Sequence, residues 1–287
     1  MMAVVARPRS RAAEAGLALW ARPRLRACLA VLALYAAVAL LGAAHLLPDA
    51  EAVVGDARQP PSWSWATLLG TDVLGRSVFW RVLAGAQTAV TIGLATTALA
   101  VPVGTALGLA AGYFGGWVDA LVNWLWSVVV SVPDILLITA ISYAMGKGEG
   151  AICVAIAATS WAGIMRLVRG EVLKHQGSDY VLAARGLGAG AGRIMVVEIL
   201  PNVVHVALVT STLVLLAAVK GEVILTFLGL GIQDGASWGL LIAGASQDLS
   251  DGVWGPLAGT VVAMFLLVYA LSAIGDALRD VLDPRVS

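Results

Sequence analysis

The stretch SDYVLAARGLGAGAGRIMVVEILPN, residues 178–202, holds four glycines, two arginines and two acidic residues between long apolar segments. Ser178 is a good helix N-cap, and Asp179 in the first turn suits the helix dipole. The helix is expected to stop near Gly188, since glycine commonly follows a helix end. Its outward apolar side is predicted to hold Tyr180, Ala183, Ala184 and Leu187. Such a helix, held between two apolar segments, is suited to insert into a groove on a soluble partner.

The second half of this stretch is glycine-rich. Gly190 and Gly192 are predicted to permit a turn, and Pro201 to open the next helix as a first-turn residue. The letters GLGAGA (186–191) formally fit a dinucleotide fingerprint, but the preceding residues do not have the pattern of a strand, which that site requires. The sequence also lacks the P-loop pattern GxxxxGK[ST]. No cofactor is therefore expected on this chain.

The composition around this stretch indicates a membrane protein. Of 287 residues, 60% are hydrophobic and only 13% charged, whereas soluble domains are about one quarter charged. Residues 27–48 and 82–118 contain no Asp, Glu, Lys or Arg, and about 20 such residues cross a bilayer as a helix. The formal net charge of zero gives no reason to expect nucleic acid. Cys28 and Cys153 lie in apolar runs and are predicted to be small core residues.

Breaks at charges, glycines and prolines divide the apolar sequence into six predicted membrane-spanning helices. An all-α integral membrane protein is therefore expected, in contact with lipid, and the first apolar run is expected to be a retained helix. The predicted spans are 26–47, 86–112, 118–145, 150–169, 203–230 and 255–276.

The distribution of basic residues predicts the orientation, because cytoplasmic segments carry an excess of lysine and arginine. With six spans, one face of the membrane receives Arg7, Arg9, Arg11, Arg22, Arg24, Arg26, Arg166, Arg169, Lys174, Arg185, Arg193, Arg279 and Arg285. The other face receives Arg58, Arg76, Arg81 and Lys147. Both termini and the 178–202 stretch are therefore predicted to be cytoplasmic.

Small residues and prolines within the spans predict how the helices pack. Gly104, Gly108 and Gly112 repeat every four residues, so they form one stripe that allows another helix to approach closely. Pro102 and Pro133 are predicted to kink their helices.

Three ionisable residues are predicted within spans, where a charge is costly unless it faces a cavity or a partner. Asp134, Lys220 and Glu222 are therefore candidates for a translocation pathway. Alternatively, Lys220 extends to the interface or pairs with an acid, Glu222 forms a hydrogen bond between helices, and Asp134 caps a helix broken at Pro133. Lys220 and Glu222 are two residues apart and so should point to different faces.

The outer segments, 48–85 and 231–254, are rich in tryptophan, glycine and aspartate. Their tryptophans are expected at the membrane interface, namely Trp63, Trp65, Trp238 and Trp254. The alternative is a landing surface for a substrate-binding protein, with polar contacts from Asp234, Asp248 and Asp251. Asp72 and Arg76 are expected to form a local ion pair. His45, His175 and His205 have no metal-ligand spacing, so no metal site is predicted.

Several motifs, in order, resemble those of one transporter family. AARGLGAGAGRIMVVEILPN resembles the EAA loop of permease subunits of bacterial ABC importers, and LGTDVLGRSVFWRVLAGAQTAV (69–90) resembles a signature of the dipeptide, oligopeptide and nickel permeases. RLVRGEVL (166–173), GEVILTFLGLGI (221–232) and SWG (237–239) are similar to further motifs of that family. The chain departs from the family at Leu182, where the loop usually opens with glutamate, and at Ser77, where aspartate is usual.

The resemblance implies a type I ABC importer permease fold over residues 26–287, after a basic cytoplasmic segment 1–25, with a coupling loop at about 171–201. The expected function is to form half of a pathway for di- or oligopeptides, with nickel or glutathione as alternative cargo and an ion-coupled carrier as the alternative mechanism. The expected partners are a homologous second permease, two ATPase subunits that bind ATP and Mg, and an extracytoplasmic substrate-binding protein in a bacterial inner membrane. Residues implied in ATPase coupling are Asp179, Tyr180, Ala183, Ala184, Arg185, Gly188, Leu200 and Pro201.

Overall fold

The computed structural model describes residues 22–146 and 148–282. Most of the predicted basic segment 1–25, together with Lys147 and Arg285, lies outside these residues. Within the described part the chain forms nine helices and no strand longer than an isolated bridge. The helices are α1 (Pro23–Ala43), α2 (Val78–Phe114), α3 (Gly116–Val130), α4 (Asp134–Ala144), α5 (Glu149–Gln176), α6 (Asp179–Gly186), α7 (Ala191–Phe227), α8 (Trp238–Ser250) and α9 (Gly255–Leu282).

Five of the six predicted spans are confirmed as single helices, and the predicted third span is divided between two shorter helices. Five helices, α1, α2, α5, α7 and α9, are each long and apolar enough to cross a membrane. Helices α3 and α4 pass the same test only as a pair, with a 90° bend between them. Pro133 lies at this bend and is the N-cap of α4, since proline lacks the N–H needed to continue a helix. Pro102, by contrast, lies within α2, which runs on through it.

The glycine stripe brings α2 against α5, as predicted. A Cβ atom on Gly104 would lie 2.7 Å from the Ile164 Cβ, and one on Gly108 would lie 2.8 Å from the Met165 carbonyl oxygen. A Cβ on Gly112 would be 2.7 Å from that of Val172. No real side chain tolerates such distances, so the absence of side chains along this stripe permits the two backbones to meet.

A Gly108→Val variant is therefore expected to destabilise the protein by about 1–3 kcal/mol, the usual cost of forcing extra carbons into a packed helix contact. The measurement is the thermal unfolding midpoint of the purified protein in detergent. Gly163→Val on α5 is the matched control, because a Cβ there meets nothing within 4 Å. Equal midpoints for the two variants would contradict the close contact between α2 and α5.

Helix α8 corrects one expectation about the outer segments. The 231–254 segment contains a 13-residue helix, which begins where the Ser237 hydroxyl accepts a hydrogen bond from the Leu240 N–H at 3.2 Å. Trp238 is fully buried, not interfacial, and its Nε1 donates to the Val82 carbonyl oxygen at 3.0 Å. Gly85 makes this possible, since a Cβ there would lie 2.5 Å from the indole. Trp63, Trp65 and Trp254 are exposed, as an interfacial position requires.

An ion-pair cluster organises the segment between α1 and α2. Asp72 is buried and accepts hydrogen bonds from Arg76 Nε at 2.8 Å, from Arg81 Nη1 at 2.5 Å, and from the backbone N–H groups of Leu74 and Arg76. Arg76 also pairs with Glu51. The predicted Asp72–Arg76 pair is thus confirmed as part of a larger cluster. Burial alone would raise the pKa of the Asp72 carboxyl, but the hydrogen bonds from Arg76 and Leu74 hold that pKa below its usual value.

A second ion-pair group on this side corrects another expectation. Arg58 lies 2.7 Å from Asp251 and 3.4 Å from Asp248, and the Asp248 side chain is buried. Asp248 therefore joins α8 to the segment before α2 and is not available as a surface contact. Asp234 and Asp251 remain exposed.

Candidate coupling segment and translocation cavity

Helix α6 confirms the short helix predicted within the 178–202 stretch. It covers Asp179–Gly186, Leu187 is its C-cap, and Gly188 has the left-handed φ of 80° that favours glycine after a helix. One detail differs from the expectation. The Ser178 hydroxyl does not cap the helix and instead lies 3.5 Å from the Lys174 carbonyl oxygen.

The inner face of α6 differs from the predicted pattern. Val181 is fully buried, in one cluster with Ile194 and Ile199, and Ala184 packs against this cluster. Ala184 therefore belongs to the inner face and not to the outward apolar side. The outward side carries Ala183 and Leu187, as expected, together with Leu182.

Side chains from neighbouring helices hold α6 in place. The Tyr180 hydroxyl lies 2.9 Å from His175 Nδ1 near the end of α5, so this histidine has a structural contact that the sequence did not suggest. The Arg185 guanidinium lies 5.2 Å from the centre of the Tyr113 ring at the end of α2, within cation–π range. Gln176 Nε2 donates to the Tyr113 carbonyl oxygen at 2.7 Å. Helix α6 is thus connected to the ends of two spanning helices.

The second half of the stretch is helical, which corrects the turn predicted at Gly192. Helix α7 begins at Ala191, passes through a π-helical turn at Ile194–Ile199, and continues as an α-helix at Leu200. Pro201 lies in the first turn of that α-helical part, as predicted, and is exposed. Leu200 packs against the same apolar cluster as Val181. The 178–202 stretch therefore passes directly into the fifth span.

Two of the three ionisable pathway candidates share one cavity. Asp134, at the start of α4, and Lys220, on α7, line a cavity of about 290 Å³ among α4, α5 and α7. The α5 residues Thr159 and Ser160 add hydroxyl groups to its wall, and most of the other lining side chains are aliphatic. Helix α6 connects the C-terminal end of α5 to the N-terminal end of α7. The cavity lies toward the other ends of these two helices.

Glu222 lies elsewhere, as the two-residue spacing from Lys220 predicted. It is fully buried and its Oε1 accepts a hydrogen bond from the Thr226 hydroxyl at 3.0 Å. The Thr226 hydroxyl oxygen in turn accepts from the Ile232 N–H at 3.1 Å. The structure therefore connects Glu222 to the turn between α7 and α8 and not to the cavity.

Among the residues that the structure describes, no group of three or more His, Cys, Asp and Glu side chains is placed to hold a metal ion. Cys28 and Cys153 are free and buried, as small core residues are.

Comparison with known proteins agrees with this architecture. Residues 104–287 match the family model described as a binding-protein-dependent transport system inner membrane component. The chain is 37% identical over 218 residues to the dipeptide transport system permease protein DppC of Bacillus subtilis (strain 168), which covers 76% of this chain and 68% of the relative. It is 34% identical over 236 residues to the oligopeptide transport system permease protein OppC of the same organism, covering 80% and 75%.

A third relative is named for a different substrate. The chain is 35% identical over 248 residues to the glutathione transport system permease protein GsiD of Pectobacterium atrosepticum, covering 85% of this chain and 81% of the relative. The family model spans α3 to α9 and the C-terminal part of α2, including α6 and the residues that line the cavity. With its membrane-spanning helices and its exposed α6, this chain belongs to the family of binding-protein-dependent transport system inner membrane components.

Proposed function

We propose that this chain forms half of the translocation pathway of an ATP-driven importer of di- or oligopeptides. A homologous second permease supplies the other half, two ATPase subunits bind ATP and Mg, and an extracytoplasmic binding protein delivers the peptide. The complex lies in a bacterial inner membrane, with both termini of this chain in the cytoplasm. The names of the relatives support peptides as cargo, and glutathione, itself a small peptide, falls within the same class.

The observation that carries the proposal is the exposed surface of α6. Leu182 on α6 is 51% exposed and Leu187 at its C-cap is 90% exposed, so two large apolar side chains lie on the surface of this short segment. Such a surface is suited to a groove on a partner protein. The partner we propose is an ATPase subunit, because this chain has no P-loop of its own.

Each coupling residue has a part in this proposal. Ala183 and Asp179 are exposed on α6 and meet the ATPase directly, beside Leu187. Tyr180 and Arg185 connect α6 to α5 and α2, so a push on α6 moves the spanning helices as rigid bodies. Ala184 and Leu200 pack beneath the helix, while Gly188 and Pro201 shape the chain on its way into α7.

Reconstitution tests the proposal. The chain, its partner permease, the ATPases and the binding protein are placed in liposomes, and uptake of a radiolabelled dipeptide is measured. We expect accumulation that requires both ATP and the binding protein and that stops when the ATPases are omitted. Uptake by this chain alone, driven by a proton or sodium gradient without ATP, would instead establish the ion-coupled carrier.

A further inference from the structure

The open cavity among α4, α5 and α7 has two opposite charges among its lining residues. Asp134 supplies a carboxylate, Lys220 supplies an ammonium group, and both side chains are exposed. The wall around them is formed largely by aliphatic side chains of the three helices, such as Ile135, Ile156 and Ile224. At about 290 Å³, the cavity is close to the lower end of the range for small-molecule sites, roughly 300 Å³.

Neither charge is neutralised within the described part of the chain. Across residues 22–146 and 148–282, Asp134 and Lys220 form no ion pair within 4.0 Å, either with each other or with a third group. An ionisable group in a membrane-spanning segment is costly and usually marks an ion or substrate path. Two such groups of opposite sign in one cavity are suited to a ligand that brings both complementary charges.

We propose that this cavity is a transient binding site for short peptides with free termini. Lys220 pairs with the peptide α-carboxylate, Asp134 pairs with the α-ammonium group, and the aliphatic wall contacts the side chains. A metal cation would meet repulsion from Lys220, and an anion would meet repulsion from Asp134, whereas a zwitterion satisfies both. This inference rests on the proposed peptide import and adds a selective step within the membrane, after release from the binding protein.

The first test measures uptake at low peptide concentration in proteoliposomes that contain the whole importer. Lys220→Gln and Asp134→Asn are each expected to lower uptake about tenfold, which corresponds to about 1.4 kcal/mol. Lys220→Arg keeps the charge and is expected to stay within about threefold of the unaltered complex. Uptake by both neutral variants at the unaltered rate would overturn the inference.

The charge-matched controls are Arg22→Gln and Asp280→Asn. This pair is 4.0 Å apart, with side chains 67% and 66% exposed, and it does not line the cavity. Uptake by these controls is expected to stay within about twofold of the unaltered complex. A larger loss in the cavity variants then results from the position of the charge and not from the loss of any charge. Absence of ATP-dependent uptake in the unaltered complex would instead overturn the proposed function.

A second measurement does not depend on uptake. Thr159 lines the cavity, and its hydroxyl donates to the Ile156 carbonyl oxygen of its own helix at 3.0 Å. Because this bond is local, a Thr159→Cys variant is expected to fold. Maleimide labelling of that cysteine in the purified complex is then followed with added dipeptide. We expect the free dipeptide to slow labelling at concentrations at least fivefold lower than its N-acetylated, C-amidated form requires. Equal protection by both forms would overturn recognition of the peptide termini.

Discussion

An Asp72→Ala variant is expected to lose about 3–5 kcal/mol of folding free energy, the usual cost of removing one partner from a buried ion pair. The reason is the charge left behind. Arg81 is buried, and its Nη1 donates to Asp72 at 2.5 Å, while Arg76 Nε donates to the same oxygen at 2.8 Å. Without the carboxylate, Glu51 remains the only acidic group within 4.0 Å of Arg81 in the described part of the chain, at 3.6 Å. The measurement is the thermal unfolding midpoint of the purified complex, together with its yield from membranes.

Asp56→Ala is the matched control for this variant. Asp56 lies in the same segment but is exposed, and within the described residues its carboxylate accepts one hydrogen bond, from the Gln59 side chain at 3.3 Å. Exposed substitutions of this kind change stability by about 0.5 kcal/mol or less. If the Asp72 and Asp56 variants unfold at the same temperature, the cluster does not stabilise the segment before α2.

The pH dependence of the effect follows from the lowered pKa of Asp72. Because the folded-state pKa lies below the usual value, of about 3.9, the contribution of the carboxylate is fully present above that pH. It is lost as the pH falls through the folded-state pKa. The stability difference between the unaltered protein and Asp72→Ala should therefore be constant near neutral pH and shrink only in strong acid.

The spans and the glycine stripe could be predicted because they depend on local sequence. A charge-free run of sufficient length has few alternatives to a membrane helix, and glycines four residues apart necessarily share one helix face. The position of Trp238 could not be predicted in this way. Its burial depends on Gly85 and on the Val82 carbonyl oxygen, which lie on α2, about 150 residues earlier in the chain. From the neighbouring sequence alone, a tryptophan in a polar segment beside a span is expected at the membrane interface.

In the candidate site, too, features set by the local sequence could be predicted, and features that depend on tertiary packing could not. The ends of α6 follow from Asp179 and Gly188, which act through the adjacent backbone. Which side of α6 faces inward depends on its rotation toward the apolar cluster, and Ala184 has no local feature that distinguishes it from Ala183. The pathway candidates are recognisable as charges within spans, and the two-residue spacing of Lys220 and Glu222 places them on different faces of α7. Only the three-dimensional arrangement shows that Lys220 is the one in the cavity and that Glu222 lies beneath the turn after α7.

Replacing Leu187 by lysine is expected to weaken attachment of the ATPase and to lower peptide uptake at least tenfold. Leu187 is 90% exposed at the C-terminal end of α6, so the proposed contact buries an apolar side chain that has few neighbours in this chain. A buried ammonium group without a partner would be strongly unfavourable there. The helix itself should not suffer, because a positive charge is favourable at the C-terminal end of a helix. The change therefore acts on the contact with the partner and leaves the fold of α6 intact.

Two further variants make this result specific to α6. Leu187→Met keeps an apolar side chain of similar volume and should keep uptake within about twofold. Leu74→Lys alters another exposed leucine, which is 59% accessible and lies just before the start of α2. Arg185 of α6 instead contacts Tyr113, at the opposite end of α2. These two ends are roughly 50 Å apart along a helix that rises about 1.5 Å per residue, so Leu74→Lys should retain the ATPase. The measurements are co-purification of the ATPase with the tagged permease and initial uptake rates in proteoliposomes. Full attachment and full uptake by Leu187→Lys would show that this face of α6 does not contact the ATPase.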